Sequence, residues 1–204
     1  MIAIVDYGVG NLFSLQSSFA AIGEKAIVTG QPEMLRQADR IVLPGVGAFE
    51  DAANKLKKLD LDTVIKDEAA RGKPLLGICL GMQLLLERSY EYGIHEGLGL
   101  IPGEVKPIET VIPNDLKIPH IGWNRLIYAN GRNSLFRNVD EGSSVYFVHS
   151  YYAASPEEYI IAKTEYGSLL TAAVCKENVF GCQFHPEKSG RVGLNILEAF
   201  CREV

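Results

Sequence analysis

The sequence predicts an α/β protein: a mostly parallel central sheet flanked by helices, with a β-rich, antiparallel second half. Three observations carry that expectation. Before Gly93, short apolar runs alternate with stretches of helical periodicity, the rhythm of successive βα units. Several of those runs end in glycine-containing turns, as strands do where they feed a helix. From Gly93 onwards helical periodicity is scarce, and β-branched or aromatic segments punctuated by Pro, Gly and Asn take its place.

Ile2 to Val5 reads as a buried strand ending at Asp6-Tyr7-Gly8-Val9-Gly10-Asn11, before a helix carrying Leu12, Leu15, Phe19 and Ile22. The glycine pair is not a dinucleotide fingerprint. Phe13 stands where the third glycine belongs, and no acidic residue closes the second strand, Lys25 to Thr29. Arg40 to Leu43 is the third strand and runs into Pro44-Gly45-Val46-Gly47-Ala48-Phe49. The glycines on either side of Val46 let the local peptide N–H groups turn towards an anion or a carbonyl oxygen. Phe49, Ala52, Ala53 and Leu56 recur at helical spacing, as do apolar residues from Leu61 to Ala70. Leu75, Leu76 and Ile78 form the next strand, bounded by Gly72-Lys73-Pro74. Strands joined through helices in this way imply right-handed crossovers and parallel pairing.

In the second half, Val145 to Tyr152, Tyr159 to Thr164, Leu169 to Lys176 and Val179 to Phe184 favour antiparallel strands. A last helix runs from about Val192 to Arg202, with Val192, Ile196, Leu197 and Phe200 facing inwards. No linker or repeat divides the chain, so residues 1–204 are expected to form one domain.

Bulk properties exclude several classes. A net charge of −5 without a Lys/Arg cluster argues against a nucleic-acid surface. No apolar run approaches the ~18 residues that span a bilayer, and no basic segment precedes an apolar signal core, so a cytoplasmic protein is expected. The four cysteines (Cys79, Cys175, Cys182, Cys201) are sparse and irregularly spaced, which supports neither a disulfide framework nor a metal site. No cofactor is implied.

The chemistry centres on Gly77-Ile78-Cys79-Leu80-Gly81-Met82-Gln83. Cys79 falls where a strand turns into a helix marked by Leu80, Leu84 and Leu85, with a glycine two positions away on each side. That is the arrangement of a nucleophile elbow, whose sharp turn leaves no room for side chains at those two positions; on spacing alone Cys79 is either such a nucleophile or a small buried hydrophobe. A thiol at a helix N-terminus meets unpaired N–H groups and the positive end of the dipole, and thiolates are favoured there. The Leu80 N–H is placed to hold a developing oxyanion.

A cysteine nucleophile needs an imidazole to move its proton, and the imidazole needs a carboxylate to fix its tautomer. Of the four histidines, His95 and His120 have no carboxylate in a suggestive place. His149 ends a strand and either lines a pocket or is structural. His185 also ends a strand and is followed by Pro186 and Glu187; the proline restricts the chain so that the carboxylate stays beside the ring.

Together these segments resemble the class I (triad) glutamine amidotransferases. That family combines a Gly-x-Cys-x-Gly-x-Gln elbow, a Pro-Gly-x-Gly oxyanion loop and a late His-Pro-Glu, here Gly77 to Gln83, Pro44 to Gly47 and His185 to Glu187. Within it the chain is similar to the glutaminase subunits of imidazole glycerol phosphate synthases. That narrower likeness rests on Asp6 to Asn11, Pro44 to Phe49, His120 to Asn124 and Tyr146 to Tyr151. The resemblance implies a triad of Cys79, His185 and Glu187, and an oxyanion hole from Leu80 and the Val46–Gly47 peptides. It implies glutamine binding by Gly47, Gln83, Glu91, His149 and Ser150, although Glu87 and Glu96 are nearby alternatives to Glu91. It further implies a (β/α)8-barrel cyclase partner that receives the ammonia and makes imidazole glycerol phosphate and aminoimidazole carboxamide ribonucleotide. Trp123 is the candidate anchor for that partner or a core residue, with Asn11, Tyr146 and Lys188 as further docking candidates. Rival readings are a glutaminase of the anthranilate or aminodeoxychorismate type, and a γ-glutamyl hydrolase or cysteine peptidase using the same triad.

Overall fold

The computed structural model describes residues 1–204. In its first half, strand β1 (Ile2–Val5) leads through helix α1 (Leu12–Ala21) to β2 (Ala26–Thr29), and α2 (Pro32–Gln37) leads to β3 (Arg40–Leu43). Two helices, α3 (Phe49–Lys58) and α4 (Leu61–Ala70), precede β4 (Leu75–Ile78), which enters the short α5 (Leu80–Leu84). The second half holds β5 (Arg88–Ser89), β6 (His95–Glu96), β7 (Glu104–Pro107), β8 (His120–Arg125), β9 (Ile127–Tyr128), β10 (Ser144–His149) and β11 (Tyr151–Ala154). It closes with β12 (Ile160–Glu165), β13 (Leu169–Lys176), β14 (Val179–Cys182) and α6 (Gly190–Arg202).

The main sheet has the order β2-β1-β3-β4-β14-β13-β12-β9. Its first five strands are mutually parallel, and the last three continue antiparallel. Alternate residues of the parallel strands enter opposite cores. Ala3, Val5, Ile41, Leu43 and Leu75 pack with α3 and α4, whereas Ile2, Ile4, Val42, Leu76 and Ile78 pack with α1 and α6. Burial on both faces is why these strands read as unbroken apolar runs. A two-stranded sheet, β10-β8, and a four-stranded one, β11-β7-β5-β6, complete the second half.

Three expectations change. Val179 to Phe184 was expected to pair antiparallel, but β14 is antiparallel only to β13 and runs parallel to β4, with Cys182 opposite Ile78. Val145 to Tyr152 is not one strand. The chain breaks at Ser150, so that β10 pairs with β8 while β11 pairs with β7 in another sheet. The helix α2 went unanticipated because only Leu35 of its six residues is buried, too little to leave a period. No helix is long and apolar enough to cross a membrane.

Candidate active site

Cys79 sits between the last residue of β4 and the first of α5, with φ 54° and ψ −111°, a backbone conformation that L-residues rarely adopt. The neighbours hold it there. Cys79 N–H donates to the Cys182 carbonyl at 2.8 Å, extending the β4–β14 ladder, and Gln83 N–H donates back to the Cys79 carbonyl at 3.2 Å. The flanking glycines are sterically required. A Cβ at Gly81 would lie 1.8 Å from the Leu43 carbonyl oxygen, and one at Gly77 would lie 2.7 Å from the Gly81 oxygen.

His185 follows β14, the strand beside β4, and its turn is tied down from three sides. His185 N–H donates to the Tyr146 carbonyl, Ser189 Oγ donates to the His185 carbonyl, and Tyr146 N–H donates to Ser189 Oγ. Helix α6 packs onto the Pro186 carbonyl so closely that a Cβ at Gly193 would be 1.8 Å from its oxygen. His185 Nδ1 and Glu187 Oε1 are 2.8 Å apart in a site where both side chains are almost fully buried. Glu187 Oε2 has no other partner, so the carboxylate depends on the ring for its charge balance. Burial disfavours the imidazolium, but the neighbouring Cys79 and Glu187 side chains outweigh it and raise the His185 pKa to about 9. His185 Nε2, the nitrogen not engaged by Glu187, is buried and makes no formed hydrogen bond. Sulfur itself contacts the Val148 carbonyl at 3.9 Å and Gln183 Nε2 at 3.7 Å.

These groups open onto a cleft of about 620 Å³. Cys79, His185, Leu80, Val46, Gly47, Gln83, Glu91, His149 and Ser150 all line it, and Glu187 stands behind His185. Of the three acidic candidates, Glu91 is the one on the cleft, where its carboxylate accepts the Phe49 N–H at the start of α3. Glu87 is turned away to Gly103 N–H, and Glu96 is exposed on β6. Gln83 Nε2 is engaged by the Tyr151 carbonyl at 3.2 Å and by Gln183 Oε1 at 3.0 Å, which leaves its own oxygen for a ligand.

The sequence leaves the resting orientation of the oxyanion loop open, and the structure gives it one. Leu80 N–H donates to the Gly45 carbonyl at 3.3 Å. Because a trans peptide is planar, the Val46 N–H points the opposite way, out of the prospective hole. In this arrangement the Leu80 N–H is occupied by the Gly45 carbonyl and the Val46 N–H is turned away. The loop's first residue is pinned, with Tyr7 Oη donating to the Pro44 carbonyl at 2.7 Å, and a Cβ at Gly45 would clash with Tyr7, Leu80 and Gly81. Its far end is open, since Gly47 has φ +93° and nothing within 4 Å of a would-be Cβ.

Trp123 is 58% exposed, a surface residue rather than a core one. It meets the Tyr146 ring edge-on at 6.2 Å, and Lys188 Nζ lies 5.8 Å from the same ring, so three docking candidates form one patch. Asn11 is at the N-terminus of α1, which packs against the Pro186–Lys188 turn. Sequence reasoning missed Gln183, Ser189 and the partners of His120. A polar residue in the otherwise apolar run Val179 to Phe184 was the available signal for Gln183.

A strained cysteine at a βα corner, with a buried His–Glu pair just beyond the adjacent strand, is the layout of enzymes that use an activated thiol nucleophile. The chain belongs to the family described as glutamine amidotransferase class-I, which it matches over residues 3–204. It is 48% identical over 204 residues to "Imidazole glycerol phosphate synthase subunit HisH" of Lactococcus lactis subsp. lactis, covering all of this chain and 98% of that protein. A protein of the same description from Sulfurimonas denitrificans is 49% identical over 204 residues, 99% of this chain and 98% of its own. Among solved structures, "Structure of PurLQS from Thermotoga maritima" superposes with a TM-score of 0.77 at 20% identity, covering 99% and 97% of the two chains. "Crystal structure of glutamine amidotransferase" gives 0.75 at 16%, covering 98% and 100%. At those identities the likeness is one of fold.

Proposed function

We propose that this protein, as one domain over residues 1–204, hydrolyses L-glutamine to L-glutamate and ammonia. In this reading it hands the ammonia to the (β/α)8-barrel cyclase subunit of a cytoplasmic imidazole glycerol phosphate synthase in histidine biosynthesis. The observation that carries the reaction is the juxtaposition of Cys79, at φ 54°, with a His185–Glu187 pair in one cleft. The choice of synthase is supported by near-full-length relatives at 48–49% identity.

In this reading Cys79 Sγ adds to the side-chain amide carbon of glutamine. The resulting oxyanion is held by Leu80 N–H and by a peptide N–H of the Val46–Gly47 segment, each donor contributing ~3–4 kcal/mol. His185 Nε2 gives its proton to the departing ammonia, leaving a thioester. It then takes a proton from water, which attacks the thioester; the C–S bond breaks, its electron pair returns to Sγ, and glutamate and the Cys79 thiolate are released. Glu187 Oε1 keeps the proton of the ring on Nδ1 throughout. Glu91 offers a carboxylate to the α-ammonium, and the Gln83 oxygen, Gly47, His149 and Ser150 complete the pocket.

Turnover requires the Gly45–Val46 peptide to rotate, which frees Leu80 N–H and turns Val46 N–H inwards. The protein alone is therefore expected to be slow. The exposed Trp123–Tyr146–Lys188 patch supports docking of a partner close to the His185 turn. Glutamine labelled in its side-chain amide, supplied with and without the cyclase and its nucleotide ligand, tests the reading. Labelled ammonia rising with the partner supports it; peptide cleavage without ammonia release would end it.

A further inference from the structure

Behind His149 the cleft wall continues into a chain of side-chain hydrogen bonds that the reaction above does not use. His149 Nδ1 lies 2.8 Å from the Tyr151 carbonyl, and its Nε2 lies 3.0 Å from His120 Nδ1. The other nitrogen of His120 is 3.3 Å from Asn124 Nδ2, which also donates to the Glu165 carbonyl at 2.7 Å. The His120 ring is stacked between Phe147 and Tyr166, with centroids at 5.0 and 4.1 Å.

We infer that His120 is a positioning residue which, with Asn124, fixes the proton arrangement and orientation of His149 in the glutamine pocket. The inference rests on the glutaminase reading. The polarity of the chain is dictated from both ends. The Tyr151 carbonyl only accepts, so His149 carries its proton on Nδ1 and must accept at Nε2. His120 therefore donates from Nδ1 and accepts at Nε2 from the Asn124 amide. That amide is oriented independently, because Arg125 N–H donates to its oxygen while its nitrogen serves Glu165. A second proton on either ring would set N–H against N–H. Burial acts in the same direction and lowers both rings to about 4, keeping them neutral.

The Tyr151 carbonyl is also where this chain meets the nucleophile. Gln83 Nε2 donates to it and to Gln183 Oε1, and Gln183 Nε2 reaches Cys79 Sγ. At the other end, His120 and Asn124 occupy the inward positions of β8, while Ile121 and Trp123 alternate outwards and are exposed. The strand that shows Trp123 to a partner thus holds the far end of the link to His149.

Two substitutions separate the proposal from simple packing. His120→Phe keeps the stacking and removes the donor; His120→Asn retains a donor near the Nδ1 position. In the complex with the cyclase, His120→Phe is expected to lower kcat/KM for glutamine about tenfold, since a small misplacement of a positioning group costs up to ~100-fold. The ¹⁵N resonances of His149 should lose the signature of a single Nδ1–H tautomer. His120→Asn should restore most of both, and ammonia-dependent synthesis should be unchanged in either variant. If His120→Phe matches the wild type in kcat, KM and the His149 resonances, the inference is overturned while the glutaminase reading stands. A loss of activity that His120→Asn does not restore, accompanied by a lower Tm, also overturns it in favour of a packing role. If the wild-type complex releases no ammonia from glutamine, the glutaminase reading itself fails, and the His149 resonances alone decide whether His120 orders that ring.

Discussion

The two walls of the cleft are built in different ways. On one side Cys79 and His185 leave neighbouring parallel strands, β4 and β14, and each is locked by backbone bonds and by contacts too tight for a Cβ. The rest of the lining includes a loop with a glycine on each side of Val46 and the neutral His149, linked end to end with the neutral His120 behind it. In the proposed reaction the first makes and breaks bonds, and the second stabilises charge and holds substrate. Atomic placement of the nucleophile is thereby separated from the one peptide whose orientation decides whether the oxyanion is stabilised. An enzyme so divided can have its rate set by a partner without loosening its nucleophile.

The contrast can be broken or sharpened experimentally. Cys79→Ala should abolish glutamine hydrolysis in the complex, by roughly 10⁴-fold or more, while synthesis from added ammonium salts survives. Loss of both activities would mean that the rigid wall had been misassigned or misfolded. Gly81→Ala should cost on the order of 3 kcal/mol in urea unfolding, because the new Cβ has no room beside the Leu43 carbonyl. Gly47→Ala meets no atom and should cost only ~1 kcal/mol, yet it should reduce the partner's activation of hydrolysis several-fold by restricting the loop. An unchanged activation ratio would place the adjustable peptide elsewhere.

The two walls should also respond to pH with opposite signs. His185 titrates at about 9 in the folded protein against ~6.5 unfolded, so the native state holds the extra proton between those values. Its contribution to stability is complete below about pH 6.5 and is lost as pH rises through about 9. His120 and His149 titrate at about 4 when folded, so here the unfolded chain holds the extra protons between about 4 and ~6.5. Their influence favours the fold above ~6.5 and fades as pH falls through about 4. Urea midpoints across pH, compared between the wild type and His185→Gln or His149→Gln, would show each slope disappear separately. These effects are on the order of 1–3 kcal/mol each and are confined to those pH windows.

Much of the rigid wall was legible in the sequence; of the adjustable one, Val46, Gly47 and His149 were, but neither the link to His120 nor the loop's resting direction was. Gly77, Cys79 and Gly81 announce their geometry because an elbow is local, written within five residues. His185 and Glu187 are equally close in sequence, joined by a proline. The His120–His149 contact spans two strands of a small sheet, and nothing local to Pro119-His120-Ile121 marks it. The break at Ser150 is hidden for a similar reason: apolar character continues through Tyr151 while hydrogen bonding passes from one sheet to another. The resting direction of the Gly45 carbonyl depends on a rotation that glycine leaves nearly free, so no residue pattern encodes it.

The parallel pairing of β4 with β14 has a consequence for how such a chain can vary. Sulfur and imidazole inherit their separation from the ~4.8 Å spacing of adjacent strands, not from the hundred-odd positions of intervening polypeptide. Loops in that interval can be lengthened, trimmed or given an appended module to suit a new client, and the reactive pair keeps its footing.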